Sequence, residues 1–258
     1  MQKLKEGIMY ILNKCIRITV IFFFFCYLPI ASSESKKIEQ PLLTQKYYGL
    51  RLGTTRVIYK EDAPSTSFWI MNEKEYPILV QTQVYNDDKS SKAPFIVTPP
   101  ILKVESNART RLKVIPTSNL FNKNEESLYW LCVKGVPPLN DNESNNKNNI
   151  TTNLNVNVVT NSCIKLIYRP KTIDLTTMEI ADKLKLERKG NSIVIKNPTS
   201  SYVNIANIKS GNLSFNIPNG YIEPFGYAQL PGGVHSKITL TILDDNGAEI
   251  IRDYYFKV

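Results

Sequence analysis

Short runs of alternating apolar and polar residues, separated by Pro, Asn and Gly, fill the chain from about residue 55 onward. Such runs predict strands rather than helices, because successive side chains of a strand point to opposite faces. Short strands at this spacing are typical of a β-sandwich. In the first part of the chain we predict strands at 55–59, 67–71, 78–85, 95–97, 109–114 and 127–133.

Two features interrupt this pattern, and the second of them marks the boundary between two domains. Residues 140–157 contain nine Asn in eighteen positions, a composition typical of a solvated loop. Further on, Arg169 and Pro170 end a strand, because proline lacks the amide hydrogen that a sheet needs. We therefore predict an all-β protein with two sandwich domains, at residues 34–169 and 170–258. Strands of the second domain are predicted at 183–186, 193–195, 202–205, 237–243 and 250–258.

A strand predicted at 153–161 emerges from the Asn-rich loop and carries Leu154, Val156 and Val158 in alternation with Asn. All three apolar side chains point the same way, because alternate residues of a strand share one face. One interpretation buries this face in the protein's own core. The other makes the segment an edge strand that lends the three side chains to a second protein.

The first 33 residues have the pattern of an export signal. Four basic residues and one acidic residue within 1–17 precede an apolar run, which small residues follow at 31–33. A membrane anchor is the alternative, but a bilayer-spanning helix needs about 20 apolar residues, and Pro29 closes this run early. We predict a cleaved signal peptide at 1–33.

Export also decides how the cysteines are used. Two of the four cysteines lie in the signal segment, so the mature chain keeps Cys132 and Cys163. In an oxidising compartment such a pair most simply forms one disulfide. Its loop of about 30 residues disfavours the unfolded state by roughly 3.6 kcal/mol in the chain-entropy model. A metal site would need two further ligands, and the sequence offers no suitable partners.

The composition leaves little material for catalysis or for nucleic-acid binding. The chain has a single histidine, His235, and no nucleophile–base arrangement accompanies it. The net charge is +9, but no Arg-rich run or interleaved basic and aromatic stretch is present. We therefore predict a non-enzymatic protein that binds no cofactor, no metal and no nucleic acid.

Several segments resemble the PapD-like periplasmic chaperones of the chaperone–usher pathway, which assembles pili and fimbriae. The similar segments follow one another in the family's order over nearly the whole mature chain. The cysteine pair on either side of the long loop resembles the long-loop subfamily, which includes the plague-capsule chaperone. The segments are 55–59 (TRVIY), 97–105 (VTPPILKVE), 126–131 (ESLYWL), 136–138 (VPP), 164–170 (IKLIYRP), 197–202 (NPTSSY) and 245–247 (DNG).

This resemblance implies a fold and a set of functional residues. The fold is two immunoglobulin-like sandwiches set at an angle, with a cleft between them. Arg56 and Lys165 match the family's basic pair, which binds the C-terminal carboxylate of a pilin subunit in that cleft. The remaining matches are Leu154, Val156 and Val158 for the donor strand, Cys132 and Cys163 for the disulfide, and Glu126, Arg169 and Asp245 for an interdomain salt bridge.

The resemblance also implies partners. A periplasmic chaperone of this kind binds fimbrial subunits by donating a strand, delivers them to an outer-membrane usher, and self-associates when free. The alternative is a secreted immunoglobulin-like adhesin or fibre subunit. Such a subunit would usually be one domain with a donor strand near its mature N-terminus, whereas this chain is long enough for two domains.

Overall fold

The computed structural model of the 258-residue chain describes residues 42–118, 121–137, 153–190, 192–232 and 237–255. The predicted signal peptide at 1–33 and His235 lie outside the described residues. Nineteen strands and one short helix lie within these ranges. No helix in this part of the chain is long and apolar enough to span a lipid bilayer.

The first sandwich contains eleven strands. Five of them form one sheet in the order β3-β11-β9-β5-β7, four form the facing sheet in the order β2-β4-β8-β6, and β1 pairs with β10. The bounds are β1 Leu42–Tyr48, β2 Arg51–Leu52, β3 Arg56–Lys60, β4 Thr66–Met71, β5 Ile78–Tyr85, β6 Phe95–Thr98, β7 Ile101–Val104, β8 Arg109–Pro116, β9 Ser127–Val136, β10 Asn153–Val159 and β11 Asn161–Arg169.

Alternation along these strands creates the core of the first sandwich. In β5, for example, Ile78, Val80 and Val84 are buried while Leu79 and Gln81 are exposed. Aromatic rings fill one end of the core, where Phe121 stacks on Tyr168 with ring centroids 4.3 Å apart. Burial of each large apolar side chain stabilises the fold by roughly 1.5–3 kcal/mol.

The second sandwich contains eight strands and helix α1 (Thr177–Lys183). One sheet has the order β12-β13-β17, and the other has the order β15-β14-β18-β19 with β16 also paired to β14. The bounds are β12 Lys185–Lys189, β13 Ser192–Lys196, β14 Val203–Ser210, β15 Leu213–Phe215, β16 Tyr221–Ile222, β17 Tyr227–Leu230, β18 Lys237–Leu243 and β19 Glu249–Tyr255.

Helix α1 differs from the strand predicted from residue 183. A capping box begins it, because the Thr176 hydroxyl accepts from the Glu179 amide and the Glu179 carboxylate accepts from the Thr176 amide. Ile180 and Ala181 are buried in the second core. Lys183 therefore ends a helix, and the strand starts only at Lys185.

A third apolar cluster joins the two sandwiches. Leu128 and Ile167 of the first sandwich pack with Tyr221 of the second, and Trp130 and Tyr202 border the cluster. The chain itself passes between the sandwiches just after β11, at Arg169 and Pro170. The architecture is the predicted all-β pair of sandwiches.

Candidate functional site

Two parallel strands bring Arg56 and Lys165 together. Strand β3 runs parallel to β11, and the register sets Arg56 directly opposite Lys165. Arg56 is the first residue of β3, while Lys165 lies in the middle of β11. The sequence separates the two residues by more than a hundred positions, so only the sheet makes them neighbours.

Arg56 is a buried cation, and not all of its N–H groups have an acceptor among the described residues. Only 4% of the residue is exposed. Its Nη1 donates to the carbonyl oxygen of Leu243 at 3.4 Å, and its Nε is buried without an acceptor among the described residues. Burial lowers the pKa of Arg56, and the nearby carboxylates of Asp245 and Asp244 offset part of that effect. A buried guanidinium in this state favours an additional anion.

Lys165 reaches across the cleft to the second sandwich. Its Nζ donates to Asn204 Oδ1 at 2.8 Å and lies 3.4 Å from the carbonyl oxygen of Gly220. The same ammonium stands 4.6 Å from the centre of the Tyr221 ring. Burial, together with the positive charge of Arg56, lowers the pKa of Lys165 to about 8.

The predicted donor strand is β10, which continues into β11 after a break at Thr160. Leu154 is 52% exposed, and Val156 and Val158 are half-buried. Within the described residues, β10 has β1 as a neighbour on one edge and no strand on the other. The strand therefore presents apolar side chains beside unpaired backbone groups.

Strand β1 lies against β9 as well as β10. A Cβ atom added to Gly135 of β9 would come within 2.1 Å of the Tyr48 carbonyl oxygen, so only glycine permits this approach. That carbonyl accepts a hydrogen bond from the Thr160 amide at 3.3 Å. The end of β1 is thereby fixed next to the junction of β10 and β11.

The disulfide predicted between Cys132 and Cys163 is confirmed. The two residues face each other across the antiparallel pair β9–β11, with Cα atoms 4.0 Å apart. The bond joins the strand before the Asn-rich segment to the strand after it. The bond therefore fixes the register of β9 against β11 two residues from Lys165.

The residues predicted for the interdomain salt bridge lie together. Arg169 Nε donates to Glu126 Oε1, and its Nη1 and Nη2 donate to Asp245 at 2.6 Å and 2.8 Å. Glu126, only 3% exposed, also accepts from the Tyr202 amide at 2.7 Å. Burial alone lowers the pKa of Arg169, but its bonds to Asp245 and Glu126 outweigh that effect and raise it.

Burial acts in the opposite direction on Glu126. It raises the pKa of the Glu126 carboxyl, and the charge of Arg169 opposes the rise. The network thus contains a buried carboxylate whose ionised form is stabilised first by the Arg169 guanidinium and also by the Tyr202 amide.

A tight turn between β18 and β19 contacts both groups of residues. Leu243 accepts from Arg56, and Asp245 binds Arg169 two residues later. Gly247 closes the turn with φ of +86°, and a Cβ there would come 3.1 Å from Thr55 Oγ1. The second sandwich therefore meets the start of β3 through this turn.

Sequence reasoning missed the groups that the second sandwich contributes to the cleft. They are Leu243, Asn204, Gly220 and Tyr221, and no local motif distinguishes any of them. In the part of the chain that the structure describes, no group of three or more His, Cys, Asp or Glu side chains could hold a metal ion. Chemically, the cleft is suited to binding an anion, and the strand that precedes β11 carries exposed apolar side chains.

Comparison with known proteins extends over both sandwiches. The family described as "Pili and flagellar-assembly chaperone, PapD N-terminal domain" matches residues 49–174. The family described as "Pili assembly chaperone PapD, C-terminal domain" matches residues 179–254. The matches together cover most of the described chain.

The chain matches related chaperones over nearly the whole length of each of them. The chain is 99% identical over 246 residues to the chaperone protein SefB of Salmonella enteritidis, covering 95% of this chain and 100% of that protein. It is 34% identical over 250 residues to the chaperone protein PsaB of Yersinia pestis, covering 89% and 90%.

Solved structures of chaperones have a similar fold. A complex of the SafA pilin with the SafB chaperone of Salmonella enterica matches with a TM-score of 0.72 and 33% identity, over 83% of this chain and 100% of that one. The Escherichia coli chaperone DraB matches with a TM-score of 0.72 and 30% identity, over 84% and 100%. The predicted resemblance is confirmed: the chain belongs to the PapD-like family of pilus-assembly chaperones, which share a fold of two β-sandwiches.

Proposed function

We propose that this chaperone binds a pilin subunit by lending it strand β10, while Arg56 and Lys165 bind the subunit's C-terminal carboxylate. The observation that carries the proposal is the pair of cations set side by side by the β3–β11 register, one of them with a buried Nε that lacks an acceptor among the described residues. Lys165 lies on β11, the strand that directly follows the exposed apolar strand β10 in the chain, and Arg56 lies on the strand paired with β11.

A carboxylate at this position would set the register of the complex. Lys165 is seven residues beyond Val158, or about 23 Å along an extended strand. A slip of one residue would turn Leu154, Val156 and Val158 away from the client, because side chains alternate between faces. An anchored chain end prevents that slip. The charge-assisted hydrogen bonds to each cation contribute roughly 1.5–3 kcal/mol.

Apolar burial would supply the rest of the affinity. Leu154, Val156 and Val158 are already about half covered in the free chaperone, so burying the remainder contributes roughly 2–5 kcal/mol before the cost of ordering both chains. The related SafB chaperone was solved in complex with the SafA pilin, which supports a pilin subunit as the client. An incomplete sandwich accepts such a strand through its open edge by β-augmentation.

The remaining parts of the proposal concern where the chaperone acts. The family acts in the periplasm, and we propose that residues 1–33 are a signal peptide that is cleaved during export. The domain limits proposed are 34–169 for pilin binding and 170–258 for the second sandwich. The loaded chaperone would then deliver its subunit to an outer-membrane usher.

We also propose that the free chaperone self-associates through β1 and β10. Exposed apolar side chains lie along both strands: Leu43, Tyr47, Leu154 and Val159. A second copy would cover them in the absence of a client. Sedimentation at tens of micromolar should show a dimer or larger species, and a monomer at that concentration would contradict this part of the proposal.

Periplasmic co-purification with the pilin subunit tests the main proposal. Wild type should hold a soluble 1:1 complex, and Lys165→Ala should lose it while remaining folded. Lys134→Ala is the matched control, since Lys134 is an exposed lysine on the neighbouring strand β9. Equal recovery of the subunit with Lys165→Ala and with wild type would overturn the role of Lys165 as an anchor.

A further inference from the structure

We propose that Asn204 is an intramolecular stand-in for the client's carboxylate. It accepts a hydrogen bond from Lys165 Nζ in the free chaperone and gives up that bond when a carboxylate enters the cleft. This inference rests on the proposed function, because it concerns the same cation. It assigns to the second sandwich a direct part in client binding.

The geometry around Lys165 supports an exchange of partners. The three groups that hold its ammonium all come from the second sandwich: Asn204 Oδ1 at 2.8 Å, the Gly220 carbonyl oxygen at 3.4 Å, and the Tyr221 ring at 4.6 Å. Asn204 and Tyr221 face each other on the paired strands β14 and β16. Asn204 is 6% exposed, so its amide has a fixed position in the wall of the cleft.

These groups hold Lys165 without neutralising it. An amide, a peptide carbonyl and an aromatic ring carry no net charge, whereas Arg56 beside Lys165 adds a second positive charge. The bond from Lys165 to Asn204 has one ionised partner, whereas a bond to a carboxylate also brings two opposite charges together, which adds Coulomb attraction. An arriving carboxylate therefore gains more from Lys165 than Asn204 loses. The lysine is already extended toward the cleft, which reduces the entropy that binding must remove.

A change from amide to carboxylate at residue 204 tests this exchange. Asn204→Asp would give Lys165 a permanent partner of the client's own chemistry, while Asn204→Ala would remove the stand-in. Asn207→Asp is the matched control: it makes the same change on the same strand, where the side chain instead accepts from Ser214 Oγ at 2.8 Å.

The probe is a synthetic peptide with the C-terminal strand of the pilin subunit, prepared with a free carboxylate and as the C-terminal amide. Full-length mature wild type should bind the acid at least tenfold more tightly than the amide. Asn204→Asp should lose this preference, Asn207→Asp should keep it, and Asn204→Ala should bind the acid no more weakly than wild type does.

A second readout does not depend on the client. NMR titration of the labelled Lys165 side chain should show its pKa raised in Asn204→Asp and unchanged in Asn207→Asp. This readout tests whether residue 204 faces the Lys165 ammonium in solution, and an unchanged pKa in Asn204→Asp would contradict that contact.

The outcomes separate the two proposals. A wild type that binds acid and amide equally would overturn the carboxylate anchor itself. A wild type that prefers the acid, with Asn204→Asp preferring it equally, would overturn the stand-in and leave the anchor intact. Where Asn204→Asp does not fold, Asn204→Ala decides, because acid binding at least tenfold weaker than wild type would show that Asn204 assists the client instead of giving way to it.

Discussion

Arg56 and Lys165 are direct neighbours on two parallel strands, so two positive charges share one end of the cleft. Placing like charges side by side in a half-buried site is unfavourable unless an anion accompanies them. Asp244 and Asp245 lie near Arg56, but Lys165 receives only neutral partners from the described part of the second sandwich. The pair therefore favours an incoming anion, and its consequences can be measured.

Client binding should weaken above pH 8. The pKa of Lys165 is lowered to about 8 in the free protein, and a bound carboxylate would raise it again. Below pH 8 the ammonium is charged both before and after binding, so affinity is maximal. Above pH 8 binding must take up a proton, and the affinity should be about tenfold lower at pH 9 than at pH 7. Isothermal calorimetry with the free-acid peptide measures this change.

A matched variant separates Lys165 from the other groups facing it. Lys165→Arg keeps its charge through pH 9, so its affinity should stay flat across the same range. Arg56 also remains charged there, and the Tyr221 ring above the ammonium has its pKa raised to about 12 by burial. An equal fall in affinity for Lys165→Arg would assign the titration to the client.

Leu154→Asp should abolish most client binding without unfolding the chaperone. Leu154 is about half exposed in the free protein, so a charge there is tolerated, whereas a client groove would have to bury it. About half of Leu154 remains to be buried, so its loss removes roughly 0.8–1.5 kcal/mol, and the cost of burying an unpaired carboxylate should bring the total loss to at least about tenfold in affinity. Asn155→Asp changes the adjacent, exposed side chain on the other face and should bind nearly as wild type. Similar losses for the two variants would contradict the predicted face.

Arg169→Ala should destabilise the protein far more than loss of a surface ion pair. It removes the guanidinium from the buried carboxylate of Glu126, and breaking such a pair costs about 3–5 kcal/mol. Lys196→Ala removes the exposed pair with Glu187 and should cost about 0–1 kcal/mol. Urea unfolding of both variants gives the comparison. A loss below about 1 kcal/mol for Arg169→Ala would show that the network contributes little.

Removing the disulfide should lower the free energy of unfolding by roughly 3–4 kcal/mol. The bond closes a loop between residues 31 positions apart, and the unfolded chain gains entropy when that loop opens. The double variant Cys132→Ala with Cys163→Ala should match reduced wild type in urea unfolding. Dithiothreitol should shift the wild-type transition and leave the variant unchanged. No shift for wild type would contradict the predicted contribution.

Sequence patterns predicted several strands well, because alternation reports directly which face is buried. Residues 78–85 and 237–243 were predicted with the bounds that the structure shows. The pattern failed at Lys183, which ends a short helix instead of starting the predicted strand. That failure is local, since a short helix with two buried residues leaves too few positions for a clear period.

The cleft could be predicted only in part. The resemblance identified Arg56 and Lys165 one by one, each on its own strand. Asn204 and Leu243 had no such signal, because an asparagine or a backbone carbonyl becomes a partner only when two distant strands are placed against each other. Long-range packing of this kind leaves no mark in the local sequence around either residue.

The turn from Leu243 to Gly247 contacts both the basic pair of the cleft and the ion pair between the sandwiches. Its first residue accepts a hydrogen bond from Arg56, and two residues later Asp245 accepts hydrogen bonds from Arg169. Both contacts come from one five-residue turn, so a substitution that distorts the turn would disturb the basic side of the cleft and the ion pair between the sandwiches at the same time.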